Sequence, residues 1–139
     1  MLRSVNLTDY MQRHPFKVRT DDRLFHAIEI ITQNRLSGVV VVDAAGRLVG
    51  MLSEMDCLRA ILAATYNQSP DIGPVREYMT AEVITCRVDE NIIDVAADMM
   101  ARGHRRRPVI GYDGSLVGVI TCRKLLDVIR SFDEPGGPR

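Results

Sequence analysis

The chain has 139 residues, of which 46% are hydrophobic and 26% are charged, a composition typical of one compact globular protein. Its 18 basic residues balance its 18 acidic residues, so the whole chain gives no sign of binding nucleic acid or an anionic membrane. The sequence carries no signal-peptide pattern and no apolar run of about 18 residues, and we therefore expect a cytoplasmic protein that does not enter a membrane.

The cysteines and histidines give no sign of a disulfide framework or a metal site. Cys57, Cys86 and Cys122 are widely spaced and form no C-x-x-C motif, so we expect free thiols. His14 and His26 have no second ligand at the spacing that metal sites need. The phosphate-binding pattern G-x-x-x-x-G-K-[ST] and the nucleophile pattern G-x-S-x-G do not occur either, and no group of residues suggests an enzyme.

In chain order, the first half of the sequence predicts a strand, a helix, a hairpin and a second helix. Residues 16–20, FKVRT, alternate between apolar and polar as a short strand does. The following helix is indicated by apolar residues at positions i, i+3, i+4 and i+7, namely Leu24, Ala27, Ile28 and Ile31. Residues 39–42, VVVV, suit a strand that is covered on both faces, and the turn DAAG leads into a second strand, RLVGML. The last helix begins at Ser53.

The same pattern returns 68 residues later. The segment LTDYM, which ends at Met11, is repeated as VREYM, which ends at Met79. Residues 43–53, DAAGRLVGMLS, are repeated without a gap as residues 111–121, GYDGSLVGVIT. The stripe of the first helix also returns, as Ile92, Val95, Ala96 and Met99. We therefore expect an α/β fold made of two tandem β-α-β-β-α units.

The repeat and the local composition predict the boundaries of these units. We assign residues 7–65 to the first copy and residues 75–131 to the second copy. Residues 66–74 contain two prolines and a glycine and are predicted to be a linker. Residues 132–139 are predicted to be a disordered tail.

Two stretches, SGVVVVDAAGRLVGMLSEMD and RRPVIGYDGSLVGVIT, together resemble a CBS domain pair, the regulatory module named after cystathionine β-synthase. The resemblance covers about residues 7–131, and some segments resemble small stand-alone bacterial CBS proteins. It implies a non-catalytic sensor whose two motifs pack about a pseudo-twofold axis. It also implies that an adenosine-containing ligand such as AMP, ADP or ATP binds in the cleft between the motifs, as a ligand and not as a cofactor. A homodimer and an unknown effector protein are the partners it implies.

The first copy carries the ribose-binding pattern of the family, Gly-hydrophobic-x-[ST]-x-x-[DN], as Gly50, Ser53 and Asp56. The resemblance therefore implies that Ser53 and Asp56 bind the ribose, and a carboxylate can accept both hydroxyl donors of a cis-diol. The same S-x-x-D spacing is also typical of a helix cap, in which Ser53 accepts from the backbone and Asp56 faces the positive end of the helix. The two roles are compatible.

The second copy departs from this pattern. Gly118 and Thr121 match it, but Lys124 stands where the first copy has Asp56, and an ammonium group cannot accept a hydrogen bond from a ribose hydroxyl. We therefore expect a second, degenerate cleft with Thr121, Lys124 and Ser37. This cleft would be empty, hold a different ligand, or use Lys124 to bind an anion.

Three consecutive arginines precede the strand of the second copy. In a nucleotide-binding member of the family, basic residues at the positions of Arg105, Arg106 and Arg123 approach the phosphates of the nucleotide. The resemblance implies the same role here, and guanidinium groups bind phosphate in a bidentate manner. Strand alternation turns Arg107 the other way, and we expect His104 to lie at the end of a helix that Gly103 terminates. Alternatively, the arginines lie on a solvated surface and do not contact a ligand.

Two other functions compete with the sensor. One is a dimeric structural or interaction scaffold with vestigial ligand clefts. The other is nucleic-acid binding through the arginines, which the zero net charge and the few aromatic residues, four Tyr and three Phe, argue against.

Overall fold

A computed structural model of the chain describes residues 1–69 and 71–133. This part of the chain contains six strands and four α-helices. Their bounds are β1 (Gln12–Arg13), β2 (Lys17–Arg19), α1 (Leu24–Gln33), β3 (Gly38–Val42), β4 (Leu48–Ser53), α2 (Glu54–Tyr66), α3 (Ile92–Arg102), β5 (Arg106–Ile110), β6 (Leu116–Thr121) and α4 (Cys122–Asp133).

The chain divides into two compact units, which are not the two repeats. The first unit is Phe16–Val83, and the second unit combines Met1–Pro15 with the chain from Ile84 onward. The first residues of the first repeat therefore belong to the second unit, together with most of the second repeat. Likewise, the first residues of the second repeat belong to the first unit. The predicted boundaries 7–65 and 75–131 follow the sequence repeat, whereas the compact units follow the packing.

The sheet of the first unit has the strand order β2-β3-β4. Strand β2 is parallel to β3, with Val18 opposite Val41, and β4 is antiparallel to β3, with Ser53 opposite Gly38. All five residues of β3 are buried, as expected for a strand covered on both faces. Helix α1 buries Leu24, Ala27 and Ile31 of the predicted stripe. The predicted order of elements is therefore confirmed in this unit.

The sheet of the second unit has the order β1-β6-β5 and differs from the prediction in one strand. Residue Cys86, in the segment equivalent to β2, forms only an isolated parallel bridge with Val109. The carbonyl of Pro108 accepts from the Cys86 N–H at 3.0 Å, but proline has no N–H to donate on the same side. Strand β5 therefore lacks the parallel hydrogen-bonded ladder that β2 forms with β3 in the first unit.

The backbone pairing follows the 68-residue offset of the sequence. Gln12 of β1 lies opposite Val119, and in the first unit Thr80 forms the corresponding bridge with Met51. The duplication that was inferred from sequence is thus reproduced in the hydrogen-bonded register.

A glycine in the second strand of each hairpin allows another segment to approach closely. A Cβ atom on Gly118 would lie 2.5 Å from side-chain atoms of Met11 and 2.7 Å from the carbonyl oxygen of Gln12. A Cβ atom on Gly50, the equivalent residue, would lie 2.7 Å from the sulfur of Met79. This packing explains why a glycine occurs at this position in both copies.

Gly118→Ala is expected to lower the free energy of unfolding by about 1–3 kcal/mol. The Gln12 carbonyl belongs to the paired backbone of β1 and cannot move away from the new methyl group without disturbing that pairing. Denaturant unfolding measures the loss. Gly111→Ala is the matched control, since the atoms nearest to its Cβ belong to side chains, with the oxygens of Asp113 at 3.1 Å and Ser115 at 3.2 Å. A Gly118→Ala protein as stable as Gly111→Ala would contradict the close packing of β1.

Each unit buries its own core, and two of the three cysteines belong to these cores. Cys57 lies in the first unit and Cys86 in the second, and both are free thiols, as is the exposed Cys122. Burial raises the pKa of Cys57, and it raises the pKa of Cys86 to about 12. Both buried groups are therefore uncharged thiols at neutral pH, and the expectation of free cysteines is confirmed.

Helix α4 extends into the predicted tail, 132–139. Phe132 is only 7% exposed and packs edge-to-face against Tyr10, with ring centroids 6.3 Å apart. Burial of this ring holds the last turn of the helix on the core. Residues 134–139 of the tail and Pro70 of the linker lie outside the described residues. Among the residues that are described, none of the helices has the length and apolar character required to cross a membrane.

Candidate functional site

The start of α2 holds the two residues predicted to bind ribose, Ser53 and Asp56. The Asp56 N–H donates to Oγ of Ser53 at 3.0 Å, and the Ser53 N–H donates to Oδ2 of Asp56 at 3.0 Å. These reciprocal bonds form a capping box, which satisfies backbone donors that the first turn of a helix leaves unpaired. The capping role considered for the S-x-x-D pattern is therefore confirmed.

The second carboxylate oxygen of Asp56 has a different kind of partner. Its Oδ1 accepts from Nη1 of Arg59 at 3.2 Å. The Asp56 side chain is 14% exposed, whereas the Arg59 side chain is 71% exposed. An ion pair with so exposed a partner is weak and exchanges readily with other donors. Oδ1 can therefore accept from a ligand hydroxyl while Oδ2 keeps the cap.

Ser37 lies beside this helix start, at the beginning of β3. Its carbonyl accepts from the Glu54 N–H at 3.0 Å, and its neighbour Gly38 lies opposite Ser53 in the sheet. A Cβ atom on Gly38 would lie 2.7 Å from the Leu52 carbonyl oxygen, so a side chain does not fit there. The structure thus brings Ser37, Ser53 and Asp56 together at one end of the first unit.

The equivalent end of the second unit gathers the predicted basic residues. The Arg105 carbonyl accepts from the Cys122 N–H at 3.0 Å, which is the bond that Ser37 makes in the first unit. Arg106 lies opposite Thr121 in the sheet, and Arg123 is exposed in the first turn of α4. Arg105, Arg106 and Arg123 therefore lie around the junction of β5, β6 and α4.

Only half of the helix cap is present in this second unit. Thr121 Oγ1 accepts from the Lys124 N–H at 3.0 Å, as Ser53 does for Asp56. Lys124 carries only donors, so it cannot accept from the Thr121 N–H in return. Its positive charge also lies in the first turn of α4, where the helix macrodipole disfavours cations.

Lys124→Asp is therefore expected to raise the free energy of unfolding by about 1 kcal/mol, because it completes the capping box and reverses the unfavourable charge. Thermal and denaturant unfolding measure the gain. Lys124→Ala is the control, which removes the charge without adding an acceptor and should give a smaller gain. An aspartate variant no more stable than the alanine variant would contradict this account of the cap.

Arg107 is buried, whereas Arg105 is exposed and Arg106 is partly exposed. Its side chain is 4% exposed, and its Nη1 donates to Oδ2 of Asp98 on α3 at 2.7 Å. Nη2 lies 3.4 Å from Nδ1 of His104, and Nε is buried without a hydrogen-bond partner among the described residues. Arg107 thus differs from its two neighbours in burial, and it serves the packing of β5 against α3.

Asp98 is the residue in this region that the sequence reasoning missed. Its Oδ2 also accepts from Nε of Arg102 at 2.9 Å. The hydrogen bond from Arg107 is the main cause that lowers the pKa of Asp98, and the Arg102 guanidinium adds to it. The 68-residue offset could have indicated an acidic partner, because it aligns Arg107 with the buried Val39. A buried arginine needs an acid to balance its charge.

The helix end before this run agrees with the sequence. Gly103 caps α3 in a left-handed conformation, with φ of 70°, and His104 follows it directly. The His104 N–H donates to the Met99 carbonyl at 2.9 Å, which closes the helix.

The predicted ribose pair thus belongs to the first unit, and the three predicted phosphate-binding arginines belong to the second unit. Ser37 of the degenerate cleft lies in the first unit, and Thr121 and Lys124 lie in the second. Within the described ranges, no three His, Cys, Asp or Glu side chains form a group that could hold a metal ion. The binding roles of these residues stay predictions.

A comparison with protein families identifies the two repeats. The model of the CBS domain matches residues 7–63 and again residues 75–131. This chain belongs to the CBS domain family. It is a tandem CBS pair, and its mixed α/β fold with two three-stranded sheets is the fold of solved CBS pairs.

Three proteins illustrate the similarity. A 17.7 kDa protein of Acidianus ambivalens is 30% identical, and the match covers 86% of this chain and 73% of that protein. CBSX2, solved in complex with AMP, has a TM-score of 0.82 at 22% identity and covers 94% of this chain and 100% of its own. The cytosolic domain of the Mg²⁺ channel MgtE, solved in complex with ATP, has a TM-score of 0.69 at 27% identity and covers 85% of this chain and 46% of its own.

The first of these relatives is archaeal, so it gives no support to the likeness with bacterial proteins in particular. The likeness to CBSX2, at 22% identity, establishes the fold.

Proposed function

We propose that this CBS pair is a non-catalytic, cytoplasmic regulatory module that binds an adenosine-containing ligand, namely AMP, ADP or ATP. In this proposal Ser53 and Asp56 bind the ribose, and Arg105, Arg106 and Arg123 bind the phosphates. A bound ligand favours the conformation that binds it, so any partner that prefers this conformation gains affinity. The ligand raises the affinity for the partner by the same factor as the partner raises the affinity for the ligand.

The observation that carries the proposal is the state of Asp56. This carboxylate keeps its helix cap through Oδ2, while the one partner of Oδ1 among the described residues is the exposed Arg59. An acceptor oxygen of this kind suits a ribose hydroxyl, and the equivalent Lys124 offers none. We therefore propose one ribose-binding position in the pair and a second, degenerate position with Thr121, Lys124 and Ser37.

The arginines supply a second argument. Arg105 and Arg123 are exposed at the junction of β5 and α4, while Arg107 is held by Asp98. Guanidinium groups remain charged at every pH of interest and match the geometry of phosphate oxygens. CBSX2 with AMP and the MgtE domain with ATP are precedents of this fold for adenine nucleotides.

Ligand-induced stabilisation tests this function. AMP, ADP, ATP, adenosine and S-adenosylmethionine are added separately in thermal unfolding, and a nucleotide at 100 times its Kd should add about 2.7 kcal/mol of stability. Native mass spectrometry of the purified protein identifies any ligand that remains bound. A protein that none of these compounds stabilises at millimolar concentration would disprove the proposal.

The capping box also favours a second function, a scaffold with vestigial clefts. Because Ser53 and Asp56 already satisfy each other, the motif has a structural reason to exist without any ligand. A scaffold predicts that substitutions at Asp56 change stability and nothing else.

We also propose that the protein is a homodimer. Leu58 of α2 and Leu126 of α4 occupy equivalent positions in the two repeats, and both are largely exposed. Exposed apolar side chains on helices are typical of interfaces. Sedimentation equilibrium of the wild type should give a dimer, and Leu58→Glu with Leu126→Glu should give a monomer. A monomeric wild type would refute this assembly.

A further inference from the structure

A cluster of polar side chains in the second unit stands where the first unit is apolar. The cluster consists of Asp98, Arg102, His104 and Arg107. The 68-residue offset aligns three of these residues with residues that pack in the core of the first unit, namely Ile30, Leu36 and Val39. Polar groups cost more to bury than apolar groups, and departures of this kind concentrate at functional sites.

Two members of this cluster flank Arg105 and Arg106 in the chain. Nη2 of Arg107 lies 3.4 Å from Nδ1 of His104, so the side chains on either side of the two arginines contact each other. Nη1 of Arg107 donates to Oδ2 of Asp98 at 2.7 Å, which ties this contact to α3. We call the side chains of Asp98, His104 and Arg107 the clip.

Strand β5 depends on such an anchor more than β3 does. In the first unit, β2 pairs with three consecutive residues of β3, Val40–Val42. In the second unit, the equivalent pairing on β5 is the isolated bridge between Cys86 and Val109. The ion pair of Arg107 with Asp98 adds a directional, charge-assisted hydrogen bond near the start of β5. The clip therefore fixes a strand whose parallel pairing is shorter than that of its counterpart.

We propose that Arg107 is a positioning residue, which acts through the clip to hold Arg105 and Arg106 in place for the phosphate groups of the ligand. This role rests on the proposed function, in which these two arginines bind phosphate. Where the first repeat has Ser37 and Gly38 in place of the two arginines, it also has a valine in place of Arg107. A segment that is ordered before binding loses less conformational entropy when the ligand binds.

Arg107→Met tests this role, because the methionine side chain is apolar and can make neither contact of the clip. We expect the variant to bind AMP about two- to tenfold more weakly than the wild type, which is the cost of ordering a side chain on binding. Its affinity for adenosine, which has no phosphate, should be unchanged. Isothermal titration calorimetry measures both affinities. A residue with a purely structural role would not separate AMP from adenosine in this way.

Arg102→Met is the matched control, because it removes one positive charge from the same cluster and leaves the clip intact. Arg102 donates to Oδ2 of Asp98 at 2.9 Å, and its side chain is 50% exposed. This variant should bind AMP as the wild type does. His104→Leu, which introduces the residue of the first repeat, removes the other contact of Arg107 and should weaken AMP binding in the same direction. It serves as the second variant if Arg107→Met does not fold.

Amide hydrogen exchange tests the clip without any ligand. The Cys122 N–H donates to the Arg105 carbonyl at 3.0 Å, so its exchange reports whether Arg105 stays in place. We expect the Cys122 amide to exchange faster in Arg107→Met than in Arg102→Met.

Three results would overturn the positioning role. The first is an equal affinity of Arg107→Met and Arg102→Met for AMP, or equal exchange at Cys122, and it would leave the proposed function standing. The second is an equal loss of affinity for AMP and adenosine, because Arg107 would then act on the whole fold. The third is a wild type that binds neither AMP nor adenosine, which would disprove the proposed function and the positioning role together.

Discussion

Replacing Arg107 by methionine is expected to raise the free energy of unfolding by about 1–4 kcal/mol. The guanidinium is 4% exposed, and its Nε has no hydrogen-bond partner among the described residues. Burying a charge with an unpaired donor costs more than its ion pair returns, and an apolar chain of similar volume avoids that cost. The first repeat already has an apolar residue, Val39, at this position.

Denaturant unfolding of Arg107→Met measures this gain, with Arg105→Met as the control. Arg105 is exposed, so its replacement should change stability by less than about 0.5 kcal/mol. A methionine variant less stable than the wild type would mean that the contact with Asp98 outweighs the cost of desolvation.

The same variant should alter the response to acid. Arg107 lowers the pKa of Asp98 in the folded protein below its value in the unfolded chain, which is near 3.8. Asp98 therefore stabilises the fold above that pH, and its contribution is lost as the pH falls through the lowered pKa. Between pH 7 and pH 3 the wild type should lose more stability than Arg107→Met. Equal losses in the two proteins would contradict the pairing.

Asp56→Asn is expected to weaken nucleotide binding by about tenfold or more, the cost of a hydrogen bond to a charged group. The asparagine oxygen can still accept from the Ser53 N–H, so most of the helix cap remains. The amide nitrogen, however, replaces the acceptor oxygen that now holds Arg59. Isothermal titration calorimetry with AMP measures the loss. An unchanged affinity would favour the scaffold function.

Two companion variants separate binding from stability. Asn91→Ala removes the cap of α3, where Oδ1 accepts from the Ile93 N–H at 2.7 Å. It should cost about 1 kcal/mol of stability and leave nucleotide affinity unchanged. Arg105→Gln should weaken AMP binding and leave adenosine binding unchanged, because adenosine has no phosphate. Equal losses for both ligands would argue against a phosphate contact.

Sequence patterns correctly predicted the features that depend only on residues a few positions apart in the chain. The Ser53 cap needs only residues three apart, and the left-handed Gly103 needs only the end of a helix. The duplication extended these predictions from one repeat to the other.

Features that depend on distant residues could not be predicted in this way. The pairing of β1 with β6 joins Gln12 to Val119, and a two-residue strand has no pattern of its own. The shortened ladder at Cys86 depends on Pro108 in another strand. The Asp98 contact depends on how α3 packs against β5.

The placement of residues 1–15 has a consequence for synthesis on the ribosome. Leu7, Tyr10 and Met11 are synthesised early, yet their core contains Ile92 and Val109, which are made about eighty residues or more later. The core of the first unit contains none of these three residues. We expect this core to be complete on the ribosome before that of the second unit, because its residues lie between Val18 and Met79.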